Sequence, residues 1–212
     1  MISSDRGLCG GFNSNIIKYA RKYTRELKAG KREYDIIFIG RKAADFFRKQ
    51  LGEEGKRTIT NLAREIRYEM AAEISAELLT AYGKSEYTEI RLIYNEFKSA
   101  ISQNVVDEKL LPVDVDGKVE TAEGFSNDFK FEPHAAEIVD QLLMKHFAVQ
   151  VYRSLQESVA AEHGARMNAM ENATRNAGEM IRNLTLKYNK IRQAAITTEL
   201  IEITSGAEAL RG

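Results

Sequence analysis

The sequence predicts an α/β protein: a small doubly wound, Rossmann-like domain followed by a long protruding C-terminal coiled-coil helix. Three observations carry this. A Gly-rich turn, Asp5-Arg6-Gly7-Leu8-Cys9-Gly10-Gly11-Phe12-Asn13, leads straight into a helical pattern. Short apolar runs then alternate with amphipathic stripes through about residue 115, the rhythm of helices covering a sheet. After Pro133, no further proline interrupts a helical pattern that continues to about Leu210.

Each element has its own reason. Only Met1 and Ile2 offer strand character before the turn, so the sequence is expected to begin inside or just after a strand, with native chain before Met1. Ile16, Ala20, Tyr23 and Leu27 recur on one helical face, and Gly30 is placed to cap the end. The nearly continuous apolar run Tyr34–Gly40 reads as a strand buried on both faces, which implies a parallel sheet. Arg41–Gln50 forms a short second helix, and Gly52 and Gly55 mark a loop. Asn61 is placed to cap the next helix, whose stripe Ile66, Met70, Ile74, Leu78, Tyr82 ends at Gly83. In Glu89–Ser99, Ile90, Leu92 and Tyr94 alternate with Ile93 and Phe97, the pattern of a strand. Further strand candidates are Val105-Val106 and Leu110–Val113, with Pro112 favouring a sheet edge. The expected division is an α/β foot over residues 1–132 and a shaft helix over 133–212.

The second half is the main clue. Phe129–Pro133 reads as an extended segment ending on a proline at the first helical position. Some 75 residues of helix span about 110 Å, several times the width of a small domain. Gly164 and Gly178 soften such a helix without ending it. Its distal part carries a narrow row at alternating three and four spacings: Met170, Ala173, Ala177, Met180, Leu184, Tyr188, Ile191, Ala195, Thr198 and Ile201. That is a coiled-coil seam, flanked by charges such as Arg166, Glu171, Arg175, Glu179, Arg182 and Lys187. Helices of the first half are committed to the sheet, so the seam's partner is missing or intermolecular. A homodimeric coiled-coil scaffold fits this pattern as well.

Composition narrows the chemistry. The 212 residues hold 31 Lys plus Arg against 31 Asp plus Glu, so no global charge draws nucleic acid or an anionic surface, and no nucleic-acid partner is expected. Cys9, the single cysteine, forms no internal disulfide or thiolate cluster, which fits a reducing compartment, and neither metal nor cofactor is expected. No apolar run approaches the roughly 18 residues of a membrane-spanning helix, so no direct membrane insertion is expected. Gly7-Leu8-Cys9-Gly10-Gly11 matches a thiol version of the nucleophile elbow, and its glycines could cradle a phosphate. A Cys-dependent hydrolase of α/β fold is therefore a weaker alternative, with His134, His146 and His163 as the available bases.

Three ordered blocks resemble one family. Ser4–Asn13 is similar to an SDRGLCGG-x-N turn, Ala165–Thr174 to an ARM-x-AM-x-x-AT segment, and Tyr188–Ala207 (YNKIRQAAITTELIEITSGA) to a C-terminal signature. Together they resemble the gamma subunit of the F-type ATP synthase, the central rotor shaft, over essentially the whole chain. The resemblance implies mechanical coupling rather than catalysis by this chain. It implies alpha and beta subunits, epsilon and the c-ring as partners, and a peripheral place on the cytoplasmic face of the bacterial inner membrane or its equivalent. It also implies an N-terminal helix pairing with the C-terminal one, which this sequence lacks. The regulatory dithiol insertion of chloroplast forms is unmatched.

The resemblance further implies roles for single residues. Positions matching Arg192, Gln193 and Thr197 form polar contacts with a loop of beta near the shaft tip, and Glu199 and Glu202 belong to the same zone. Read alone, Arg192 is a solvated charge on a helix face. Phe129, Phe131 and Glu132 match positions that approach the c-ring and epsilon; as alternating aromatics they read equally as a strand docked under the long helix.

Overall fold

The computed structural model describes residues 1–61, 66–113, 135–210 and 212. The two residues of strand character before the Gly-rich turn lie at the centre of the sheet. Met1–Ser3 run parallel to β1 (Ile37–Ile39), with Ile39 N–H donating to the Met1 carbonyl at 2.9 Å and Ser3 N–H donating to the Ile39 carbonyl at 2.7 Å. On the other side, Ile2 N–H donates to the Ile93 carbonyl of β3 (Ile90–Phe97) at 2.8 Å. β2 (Arg57–Ile59) continues the sheet beyond β1 in parallel register, and β4 (Gln103–Leu111) pairs antiparallel with β3. The order is therefore β2, β1, Met1–Ser3, β3, β4.

This sheet is mixed, which corrects the expectation of a parallel one. β3 and β4 are joined by a tight turn at Ser99–Ser102, and only an antiparallel pair can be closed by so short a connection. The two candidate strand pieces around Val105 and Leu110 are one strand, with Pro112 just past its end. β2 escaped sequence reasoning because it is three residues long and its Arg57 and Thr58 are exposed, so it carries no apolar signal.

Helices cover both faces. α1 (Phe12–Ala29) and α2 (Arg41–Phe46), the latter extended by a π-helical turn over Phe47–Leu51, lie on one side, where Ala20, Phe38, Ala43 and Phe47 form a cluster. α3 (Tyr68–Gly83) and the long α4 (Ala135–Ala209) supply the other side. There Ile2, Ile39, Leu92 and Tyr94 meet Ala71, Ile74, Phe147, Val151 and Leu155. Each large side chain so buried contributes about 1.5–3 kcal/mol. In α1 the buried row is Phe12, Ile16, Ala20, Thr24, Leu27; Thr24 takes the inner place expected of Tyr23, which is half-buried. Gly30 does close the helix, its N–H donating to the Glu26 carbonyl at 3.0 Å. Asn61 does not cap α3. That helix starts at Tyr68 after Arg67, whereas Asn61 has φ 66° and donates its N–H to Asp5.

The chain divides into two compact units, Met1–Asn168 and Ala169–Gly212. The first takes in the beginning of α4 because Phe147, Val151, Leu155, Ala161 and Ala165 are buried in its cores. The expected boundary at 132 and the proline helix start at 133 lie outside the described residues.

One polar cluster ties α1 to the hairpin. Tyr19 donates to Asp107 at 2.8 Å, and Arg91 donates to the same carboxylate at 2.6 Å. Burial, then the bond to Asp107, pushes the Tyr19 hydroxyl up to about 12 from an ordinary value of 10.0. The stability this contributes is present below pH 10 and is lost as pH climbs toward 12, because the unfolded chain releases the proton first. Tyr19→Phe is expected to cost about 1 kcal/mol at pH 8. It should also make the fall in stability between pH 10 and 12 shallower, as measured by urea unfolding at each pH.

Candidate functional site: the exposed face of the long helix

In the second unit, α4 carries the predicted seam with no cover. Met180, Leu184, Tyr188, Ile191 and Ile201 are each about 60 % exposed (64, 59, 64, 58 and 58 %). The alanines between them, Ala173, Ala177 and Ala195, are exposed as well. A water-facing helix normally keeps its apolar stripe against a core. Exposed Ile181, Leu186, Ile196, Leu200 and Ile203 widen the apolar surface beyond one seam, so more than one neighbour is needed to bury it. The helix runs through Gly164 and Gly178 without a break. At Gly164 there is a packing reason: a Cβ would sit 3.1 Å from the Phe97 ring and 3.2 Å from the Ala100 Cα.

Arg192, Gln193, Thr197, Glu199 and Glu202 are all exposed on this same stretch. At about 100° per residue, Arg192 and Glu199 share one face, Glu202 lies beside it, and Gln193 and Thr197 occupy another. They spread over about 220° of the helix circumference rather than forming one pocket. Among the described residues, Arg192 has no acidic group within ion-pair distance. Thr198 and Thr204 return their hydroxyls to carbonyls one turn back, at 3.0 and 2.9 Å. Phe129, Phe131, Glu132 and His134 lie outside the described residues.

The Gly-rich turn has a structural purpose that sequence reasoning missed. The first three N–H groups of α2 are all satisfied by the residues just ahead of the turn. Arg41 N–H donates to Asp5 at 3.1 Å, Lys42 N–H to the Ser4 carbonyl at 3.0 Å, and Ala43 N–H to the Ser3 hydroxyl at 3.2 Å. Asp5 also receives Asn61 N–H at 2.8 Å, and its charge lies at the favourable end of the helix. The signal was present as Ser-Ser-Asp, but its target helix is 36 residues away in sequence. Cys9 is buried, and its sulfur accepts the Asn13 amide at 3.1 Å and lies 3.8 Å from the Ser4 hydroxyl. Phe12, Ala161 and Ala165 complete its surroundings. His146 and His163 are exposed on α4, and no imidazole bonds the sulfur among the described residues. The turn packs; the elbow resemblance is one of spacing.

A family model described as ATP synthase matches residues 1–210. The ATP synthase gamma chain of Bdellovibrio bacteriovorus is 52 % identical over 217 residues, covering 100 % of this chain and 73 % of that relative. The chain belongs to the ATP synthase gamma chain family. The gamma chain of Geobacter metallireducens is 44 % identical over 212 residues, with 72 % of its length covered. Among solved structures, the central stalk and c-ring of the Tetrahymena thermophila mitochondrial ATP synthase matches with a TM-score of 0.63 at 29 % identity, over 82 % of this chain and 74 % of that one. A chain from the Euglena gracilis mitochondrial ATP synthase shares the fold, with a TM-score of 0.71 at 24 % identity, over 99 % of this chain and 71 % of that one. Family membership accounts for the combination of a helix-covered sheet and a long exposed helix. Among the described residues no helix is long and apolar enough to cross a membrane.

Proposed function

We propose that this chain works as the central-stalk gamma subunit of an F-type proton-translocating ATP synthase, coupling rotation of the c-ring to nucleotide binding changes in the alpha/beta hexamer. The observation that supports it is the uncovered apolar surface of α4 from Met180 to Ile203. Such a surface needs neighbours to bury it, and in this reading the alpha and beta subunits are among them. In this reading the shaft meets each beta subunit with a different side. A rotor can shift a subunit between open and closed forms only by binding those forms unequally, and an asymmetric rod does so by shape and polarity. Nucleotide chemistry then belongs to the hexamer, and this chain contributes force and position without catalysis. The foot would face epsilon and the c-ring, with Phe129, Phe131 and Glu132 among the contacts. The protein would sit peripherally in the soluble ATPase sector, on the cytoplasmic face of the bacterial inner membrane or the equivalent side elsewhere.

Arg192, Gln193 and Thr197 are assigned to polar contact with a beta loop, with Glu199 and Glu202 in the same zone. A guanidinium presents five donors in a fixed fork, suited to holding a carboxylate in one rotary state and releasing it in the next. Mixing this chain with alpha and beta subunits tests the reading: association and a changed ATPase rate are expected, and a chain that stays apart or only self-associates overturns it. A hydrogen bond to a charged group contributes about 1.5–3 kcal/mol, so Arg192→Ala should lower coupled ATP synthesis roughly tenfold or more. Its unfolding free energy should change by less than about 0.5 kcal/mol, because the side chain is exposed. Equal losses in both would remove the contact role.

A further inference from the structure

We propose that the outer face of α1 and α2 is a docking surface for an anionic phospholipid bilayer, bound at its headgroups without insertion. The neutral total of the chain conceals an uneven distribution. α1 (Phe12–Ala29) and α2 with its π-helical turn (Arg41–Phe46 and Phe47–Leu51) hold nine basic residues against two acidic ones, Glu26 and Asp45. The two helices form one surface: Ala20 of α1 meets Ala43 and Phe47 of α2 in a shared core, and the opposite sides face solvent. At about 100° per residue, Lys18, Arg21 and Arg25 fall within roughly 60° of one another, opposite Ile16, Ala20 and Leu27. Both acids are already engaged, Glu26 by Lys22 at 3.8 Å and Asp45 by Arg48 at 2.7 Å, and Lys28 pairs with Glu53. Lys18, Arg21, Arg25, Arg41, Lys42 and Lys49 are exposed, and among the described residues none has an acidic group within ion-pair distance.

Unpaired cations spread over two helices suit an extended array of phosphates rather than one anion in a pocket. An acidic protein would need more, because protein interfaces draw most of their affinity from a buried apolar or aromatic cluster. Among the described residues of this face, Leu51 is the one large apolar side chain that is exposed, at 36 %. Single-stranded nucleic acid would need aromatic platforms. Here Phe12 and Phe47 are buried, Tyr19 bonds Asp107, and the Tyr23 ring lies under Arg91. A bilayer needs neither feature. Its anionic headgroups attract a helical face carrying roughly four to eight Lys and Arg by charge alone, each residue near the surface contributing about fivefold in affinity. The choice of a bilayer over other polyanions rests on the proposed central-stalk role, in which the foot works beside a membrane.

The test sediments the full chain with vesicles of phosphatidylcholine containing about 30 % phosphatidylglycerol. Saturable binding is expected, falling at least tenfold when salt rises from about 0.05 M to 0.3 M, because the screening length shortens. Arg21→Glu with Arg25→Glu should weaken binding at least about twentyfold. Lys187→Glu with Lys190→Glu, an equal change of net charge on exposed α4, should weaken it less than about threefold. All four side chains are exposed, so circular dichroism melting of both pairs should match that of the unaltered chain. Arg21→Lys with Arg25→Lys, which keeps the charge, should retain binding. Equal binding to pure phosphatidylcholine would mean adhesion through the apolar surface of α4 and overturn the proposal. So would unchanged binding of the Arg21 and Arg25 reversal, equal losses in both pairs, or tighter binding to poly-glutamate or duplex DNA in the same salt. Vesicle binding is read on this chain alone and association with alpha and beta subunits separately, so failure of one is distinguishable from failure of the other.

Discussion

Met180→Glu together with Leu184→Glu is expected to abolish stable association with alpha and beta subunits while leaving the first unit folded. Both side chains are mostly exposed, 64 and 59 %, so the isolated chain loses little when they become charged. In the assembled state both are expected to be buried. Each then contributes about 1.5–3 kcal/mol, and a carboxylate in its place adds a desolvation cost of several kcal/mol. Affinity should fall by more than about a hundredfold. Co-purification with alpha and beta subunits reads the association, and circular dichroism melting reads the fold. Unchanged association would mean that the apolar row is not a contact surface. The conservative pair Met180→Leu and Leu184→Met should retain assembly, because volume and polarity are kept.

Gly40→Ala is expected to be the most damaging single change in the first unit. Gly40 adopts φ 100°, a region that side chains disfavour, and a Cβ there would fall on the Ser3 carbonyl and hydroxyl. Relief would have to move Ser3, yet Ser3 holds both the Ile39 carbonyl of β1 and the Ala43 N–H of α2. Strain and overpacking together should cost at least about 3 kcal/mol, a large share of a typical domain's stability. Urea unfolding of the variant measures it. A loss under 1 kcal/mol would show that the link between Ser3-Ser4-Asp5 and α2 is looser than described.

The legible parts of the fold were those written as local period. Ile16, Ala20 and Leu27, the Met70–Ile74–Leu78 stripe, and the alternation of Ile90, Leu92 and Tyr94 each declare a buried face by spacing alone. β2 was illegible because a three-residue edge needs only backbone pairing with β1. The parallel reading holds for β1, whose neighbours β2 and Met1–Ser3 both run parallel to it, and departs only at the β3–β4 hairpin, because the apolar run at β1 does not report the direction of a more distant pair. Asn61 is not the cap of α3: it adopts φ 66°, and its residue type fits a left-handed turn as well as a cap. For the shaft, the seam was visible as period, and its exposure follows from the lack of any second long helix among the described residues. Roles for Arg192, Gln193 and Thr197 came from resemblance, since isolated polar residues on an exposed helix carry no periodic signal.

The central claim is that α4 transmits rotation within a ring of alpha and beta subunits. A probe attached to the first unit at Lys22, whose side chain is 78 % exposed on α1, reports it directly in single complexes immobilised through the ring. ATP is expected to drive the probe in one sense, and Met180→Glu with Leu184→Glu to stop it. A probe that stays still in complexes that contain this chain and hydrolyse ATP would contradict the account.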